Sequence, residues 1–401
     1  MTEIFARALL EMGTDKEDYV KLSQRIGKYT GGIHGGGFSA TTHGARETIG
    51  KLFLRGKAAI GQSAELLNIL KDVLLRANFD NRERLKQIVL EEKSELESSL
   101  VPSGHAYANR RVRAQFGGAG WVNEQMSGVS YLFALRQLAG DIDKKWDNVL
   151  QKLETMRGLL INSKTMICNV TLDAANWKNF KPHFENFIFA IPEKDVERST
   201  LNVQPEPRKE GLTIPAQVNY VAKAANLYDL GYEFDGSSLV VMNYLRAAYL
   251  WEKIRALGGA YGAFCAFDNA SGVLSFLSYR DPNLDATLEN YDNAAAFLKN
   301  LDSASLNESE LTKAVIGTIG DLDAYQLPDA KGYASMIRYL TGKTDEMRQK
   351  ERDEVLSTTR EDFIAFGGVL EKFAKSEAVV ALGPQSAIEG AKAGLKATKV
   401  L

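Results

Sequence analysis

The sequence predicts an α+β protein of two related domains, each a mainly antiparallel sheet packed against helices. Three observations predict it. At 401 residues the chain is too long for one ordinary core, and roughly two domains are expected. Amphipathic helical runs alternate with short aromatic and β-branched runs bounded by glycine. The order of these elements in the first half returns in the second, which is the mark of a duplicated unit.

The first half opens directly in a helix, with Ile4, Phe5, Ala8, Leu9 and Met12 on one side. Thr14 or Asp15 caps a second helix through Ile26. The glycine-rich stretch 30–42 and Ile49 to Leu54 read as strands. Leu66, Leu67, Leu70, Val73 and Leu74 mark a helix from Gln62 to Asn78. A long helical region covers 80–160, broken near Pro102-Ser-Gly104 and Gly117-Gly-Ala-Gly120. Thr165 to Thr171 reads as a strand and Ala174 to Phe189 as a helix. The section 191–211 carries Pro192, Pro205 and Pro207 with little apolar periodicity. It reads as a linker and divides the chain into domains 1–200 and 201–401.

The second half opens with a strand, Leu212 to Tyr220. An apolar helix follows from Asp235, buried on most of its circumference. Gly258-Gly259 ends it, because a helix stop with a left-handed residue favours glycine. Two short strands, 261–267 and 273–279, flank the turn cluster Asp268-Asn-Ala-Ser-Gly272 as a hairpin. Helices are expected over 284–298, after the Asn307 cap, and on to Lys375 with breaks at Pro328 and Gly342. A strand at Ala378 to Leu382 and a helix after Pro384 close the chain. In this repeat the first half has no counterpart of the strand 212–220. That strand is expected upstream of Met1, leaving an exposed sheet edge or a loosened first domain.

Composition narrows the function. The chain is 45% hydrophobic and 25% charged, with net charge −2. That balance gives no general footprint for nucleic acid or a membrane surface. No apolar run approaches the roughly 20 residues of a membrane span. Cys168 and Cys265 lie in strand-like runs and read as buried free thiols.

Metal chemistry finds little support in this sequence. His34, His43, His105 and His183 are scattered, with no H-x-x-E-H or H-E-x-x-H, so no metal ligands are assigned. The run Gly31-Gly-Ile-His-Gly-Gly-Gly37 lacks the lysine and spacing of a phosphate cradle and reads as close strand packing. No G-x-S-x-G elbow is present. Arg110-Arg111-Val-Arg113 and the acidic residues Glu91 to Glu97 read as solvated or mutually paired helix faces. Arg255 and Tyr261 remain, one at each end of the Gly-Gly corner. Either they cap helix carbonyls and pack in the hairpin, or they present a polar pair to a cavity.

The segment Arg255-Ala-Leu-Gly-Gly-Ala-Tyr-Gly262 and the motif Ser275-Phe-Leu-Ser-Tyr-Arg-Asp-Pro-Asn-Leu284 carry a resemblance. They are joined by Ile316-Gly-Thr-Ile-Gly-Asp321, Tyr325 to Gly332, Ser103-Gly-His105 and Pro215 to Val221. Together these motifs resemble the C-terminal, non-zinc half of the presequence-protease family, in the pitrilysin and insulin-degrading-enzyme superfamily of inverted-motif zinc peptidases. The resemblance implies a half-clamshell of two α+β domains that closes over peptide substrates. It implies zinc in the complete enzyme, held by an N-terminal half, with none bound by this chain. It assigns catalytic roles to Arg255 and Tyr261, and an organellar setting, mitochondrial matrix or chloroplast stroma. The chain alone is then expected to be inactive. The alternative is a stand-alone non-catalytic subunit or scaffold pairing with a separate catalytic chain.

Overall fold

A computed structural model describes residues 1–197, 200–204 and 207–401. In the first half, strands β1 (Ile33–Thr41) and β2 (Thr48–Gly56) pair antiparallel as a hairpin. In the second half stand β3 (Lys209–Thr213), β4 (Tyr220–Asn226), β5 (Gly262–Asp268), β6 (Val273–Tyr279), β7 (Ala378–Gly383) and β8 (Lys396–Lys399). They form one sheet in the order β5-β6-β4-β7-β3-β8. The β5–β6, β6–β4 and β4–β7 pairs are antiparallel, and β7–β3 and β3–β8 are parallel.

The helical periodicities are realised closely. The first half holds helices Thr2–Glu11, Ser63–Arg76, Arg82–Ser99, Gly104–Arg113 and Ala174–Ala190 at the expected places. The second helix is Tyr19–Tyr29 and is capped by Asp18, which accepts from Lys21 N–H, rather than by Thr14 or Asp15. Asn307 caps Glu308–Leu322 as expected, and Gly342 ends Pro328–Thr341 with a positive φ.

Four strand and cysteine expectations are corrected. The segment 165–171 joins no ladder, and its alternating apolar residues Ile167 and Val170 are exposed. With no sheet edge beside it, it gives one side-chain hydrogen bond, Asn169 Nδ2 to Gly332 O at 2.8 Å. Cys168 on that segment is therefore exposed. The single strand expected at 212–220 is two strands, β3 and β4, split where Pro215 has no N–H for a ladder. Strand β8 was not foreseen, since a four-residue, mostly exposed edge strand carries no apolar alternation. The first-half sheet is thus a two-stranded hairpin and does not match its six-stranded counterpart. Within the expected linker, Pro205 lies outside the described residues, and Lys209 already belongs to β3.

The glycine run of β1 is a close-packing device. A Cβ on Gly35 would lie 3.2 Å from Ala6, and one on Gly37 would lie 2.6 Å from Glu3 Oε1 and collide with Met126 Sδ. The strand backbone therefore approaches helix Thr2–Glu11 directly, and Gly37 N–H donates to Glu3 Oε1 at 2.8 Å.

The six-stranded sheet is covered on both faces, and the two halves share one of its cores. Tyr220, Ala222, Val380 and Leu382 pack with first-half residues such as Phe5, Tyr107 and Leu132. Val221, Phe276, Val379 and Ala381 pack with Leu370 and Phe373 from helix Arg360–Ala374. Helix Gly104–Arg113 lies on the first face, so close that a Cβ on Gly104 would collide with the Tyr220 ring.

That helix also carries a buried cation. Arg111 gives two hydrogen bonds to Glu210 on β3, at 2.6 and 3.1 Å, and one to Ser130 Oγ at 2.8 Å. Glu210 also accepts from Thr398 on β8 at 3.0 Å, and Glu124 lies 3.4 Å from the same guanidinium. The run 110–113 is therefore no solvated face. Arg113 likewise reaches across to Asp268 at 2.8 Å. Removing one member of a buried pair leaves an uncompensated charge and costs about 3–5 kcal/mol. Arg111→Leu is expected to lose about that much in urea unfolding, and a loss under about 1 kcal/mol would assign the join to packing alone.

Candidate functional site

The expected corner is built by the long helix of the second half. Ser237–Tyr244 is α-helical and continues as a π-helix, Leu245–Ala256. The Leu257 N–H reaches Glu252 O at 2.9 Å, five residues back. Wide turns of this type are rare and cluster at functional sites. They also change which face is buried. Tyr249, Leu250 and Ile254 are inside, while Trp251 is 52% exposed, so the helix is not apolar all round as expected.

Arg255 occupies the last turn of the π-helix, on its exposed side. The chain then turns at Gly258-Gly259. A Cβ on Gly258 would sit 2.6 Å from Ile254 O, and Gly259 has φ +80°. Both positions therefore need glycine. Tyr261 follows at the head of β5, 66% exposed. Its N–H donates to Tyr279 O at 3.0 Å and to Arg280 O at 3.3 Å. The Arg255 Cζ lies 5.8 Å from the Tyr261 ring centre. Among the described residues neither side chain has an ion-pair or hydrogen-bond partner. The structure thus brings the two predicted residues together and leaves both polar ends open. Of the two readings the sequence left, it supports an outward-facing pair over a helix cap.

The opposite wall of the corner is rigid. Asp281 is fully buried and accepts from Asn283 N–H at 2.9 Å and from the Thr287 hydroxyl at 2.7 Å. Its main chain exchanges two hydrogen bonds with Asn219, at 2.7 and 2.8 Å. Asn283 Nδ2 donates to Gly258 O at 2.6 Å and so ties this turn to the glycine corner. Around Tyr261 stand Tyr279, edge-on at 5.6 Å, and His105, whose ring lies 4.9 Å from Tyr279 and 5.6 Å from Phe264. Burial, then the nearby Arg110 charge, hold the His105 imidazole below its ordinary pKa. Tyr279, Arg280, Asn283 and His105 were not singled out as site residues. Their signal was present in the Ser-Tyr-Arg-Asp-Pro-Asn and Ser-Gly-His motifs, but spacing alone does not show that these two segments meet.

Among the described residues no three of His, Cys, Asp and Glu are grouped as metal ligands. Cys265 sits in β5 with its thiol donating to Met242 O at 3.3 Å, and burial pushes it up to about 12. That is a structural thiol.

Comparison with known proteins places the chain. Residues 209–384 match the family model for the PreP C-terminal domain, and residues 1–138 match that for the region associated with peptidase M16, subfamily C. The chain belongs to the M16 peptidase family. Presequence protease 1, chloroplastic/mitochondrial, of Arabidopsis thaliana is 40% identical over 98% of this chain and 36% of its own length. Protein HypA of Clostridium perfringens is 30% identical over 94% of this chain and 38% of its own. The chain therefore spans just over a third of the curated M16 relatives it matches. Among solved structures, the peptidase M16 inactive domain from Pseudomonas fluorescens superposes with a TM-score of 0.62 at 14% identity, covering 96% of this chain and 87% of that one. That likeness confirms the α+β fold.

Burial raises the Asp281 carboxyl above its ordinary value of 3.8, against the hydrogen bonds from Thr287 and Asn283. Between the unfolded and folded pKa the folded state holds more protons, so stability falls as pH rises through that window. The share it contributes is complete below about pH 4 and lost above the raised value. Asp281→Asn is expected to lack this loss. Urea unfolding of both proteins from pH 4 upward should show the variant gaining on the native chain. A constant difference across that range would contradict the buried assignment.

Proposed function

We propose that this chain is the metal-free half of a zinc metalloendopeptidase that degrades unstructured peptides, such as cleaved targeting presequences, in a mitochondrial or chloroplast compartment. Its residues do not fit a zinc site, so the metal belongs to a separate catalytic half, with which this chain pairs around the substrate. On its own the chain is then inactive. The observation that carries the reading is the Arg255/Tyr261 corner, with two donors side by side, open to solvent, on a backbone fixed from both sides.

The chemistry follows from the donor types. Hydrolysis of a peptide bond builds negative charge on the carbonyl oxygen. The Tyr261 hydroxyl and the Arg255 guanidinium are hydrogen-bond donors that strengthen as that charge grows. Neither needs to break an existing pair first, since neither has one among the described residues. Held by the glycine corner and the Asn283 tie, they cost little reorganisation at the moment of reaction. They can reach the reacting carbonyl only when the two halves close, so closure assembles the site and excludes water.

Loss of one such donor typically lowers turnover on the order of 100-fold to 1000-fold. In the complete two-half enzyme, Tyr261→Phe and Arg255→Ala are each expected to fall in kcat by that order, with zinc content and melting temperature unchanged. Native turnover in both variants would overturn the proposal.

A further inference from the structure

Arg280 is one of two non-glycine residues with positive φ among those described, at 49°. An arginine in this conformation is held there by its surroundings. The restraints are those of the corner. Its carbonyl accepts from Tyr261 N–H, and the next residue, Asp281, is buried and hydrogen-bonded inward to Thr287 and Asn283. The neighbouring carboxylate is thus turned away from the Arg280 side chain. That side chain is exposed, and among the described residues no carboxylate lies within ion-pair distance of it. Its guanidinium stands 5.4 Å from the Tyr279 ring centre. The adjacent Tyr220 hydroxyl gives its proton to Val101 O, so it offers the guanidinium only a neutral acceptor.

The placement makes a row. Arg255 lies 5.8 Å from the Tyr261 ring, Tyr261 lies 5.6 Å from Tyr279, and Arg280 lies 5.4 Å from Tyr279 on the far side. Two guanidinium groups without carboxylates thus close the ends of a two-phenol track. An extended peptide advances roughly 3.3 Å per residue, so the row is at most about five residues long. Arg255 and Tyr261 suit an amide carbonyl at one end. The planar fork of the second arginine suits a full carboxylate, which it binds through two parallel hydrogen bonds.

We propose that Arg280 is a specificity-determining residue that holds a carboxylate of the bound peptide, within about five residues of the bond addressed by Arg255 and Tyr261. This rests on the reading of that pair as the substrate-facing corner. The carboxylate is either the C-terminus of a short peptide or an Asp or Glu side chain.

The test reads affinity on the full 401-residue chain. An unstructured, dye-labelled peptide of neutral residues is prepared as the free acid, as the C-terminal amide, and as the amide with one internal Glu. Fluorescence anisotropy at low salt is expected to show the native chain binding at least one carboxylate form about tenfold tighter than the neutral amide. A preference for the free acid identifies a terminal carboxylate, and a preference for the Glu peptide a side chain. Arg280→Gly is expected to abolish the preference without lowering the melting temperature, because glycine takes positive φ freely. Arg280→Lys should restore part of it. Equal affinity for all three peptides, no binding of any, or a preference that survives Arg280→Gly would overturn the proposal. A lowered melting temperature with the preference intact would make Arg280 a strut between Tyr220 and Tyr279. The measurement does not depend on turnover, so it can fail while the kcat test of Tyr261 succeeds, and the reverse.

Discussion

The buried pair of Arg111 and Glu210 is the constraint on which the rest of the molecule depends. A guanidinium and a carboxylate, each almost fully removed from water, pair bidentately at the join of the two halves. Desolvating two charges is expensive, and the pair persists only where the remaining donors and acceptors are also met. Here Ser130, Glu124 and Thr398 meet them. Such a pair adds little net stability but tolerates few alternative arrangements. It therefore sets the position of helix Gly104–Arg113 on the sheet. Gly104 then lets the helix start against Tyr220, and His105 comes to lie against Tyr279 and Phe264.

The Arg255/Tyr261 corner inherits that order. One side rests on the π-helix and its two glycines. The other rests on the Asp281 turn, itself bonded to Asn219 at the head of β4 and to Gly258. The exposed polar groups sit on main chain that is hydrogen-bonded on both sides. This combination of a rigid frame and free donors suits recognition of peptide carbonyl and carboxylate oxygens. It also fits the M16 family, in which this chain matches domains associated with the peptidase rather than a metal centre.

Local features were legible in the sequence where one residue type had one physical role. The glycine corner, the Asn307 cap and the amphipathic helices appear where chain chemistry placed them. Arg255 and Tyr261 were found because glycines fix their spacing. Long-range partners were not legible. Thr165 to Thr171 has strand composition but no edge to join, and composition cannot report a missing neighbour. β8 is an edge strand of polar residues, so its pairing with β3 left no pattern. The basic run 110–113 was read as solvated, because its carboxylates lie about a hundred or more residues away, at Glu210 and Asp268. The place of Arg280 in the site depends on a positive φ and on an inward-turned Asp281, and neither is visible without coordinates.

The most direct test of the account is hydrolysis of a quenched fluorescent presequence-like peptide, with zinc present. It would be measured for this chain alone and after mixing with the zinc-bearing half of a presequence protease. The account predicts silence from the chain alone and chelator-sensitive cleavage on mixing. Cleavage by the chain alone, or silence in the mixture with both halves folded, would contradict it.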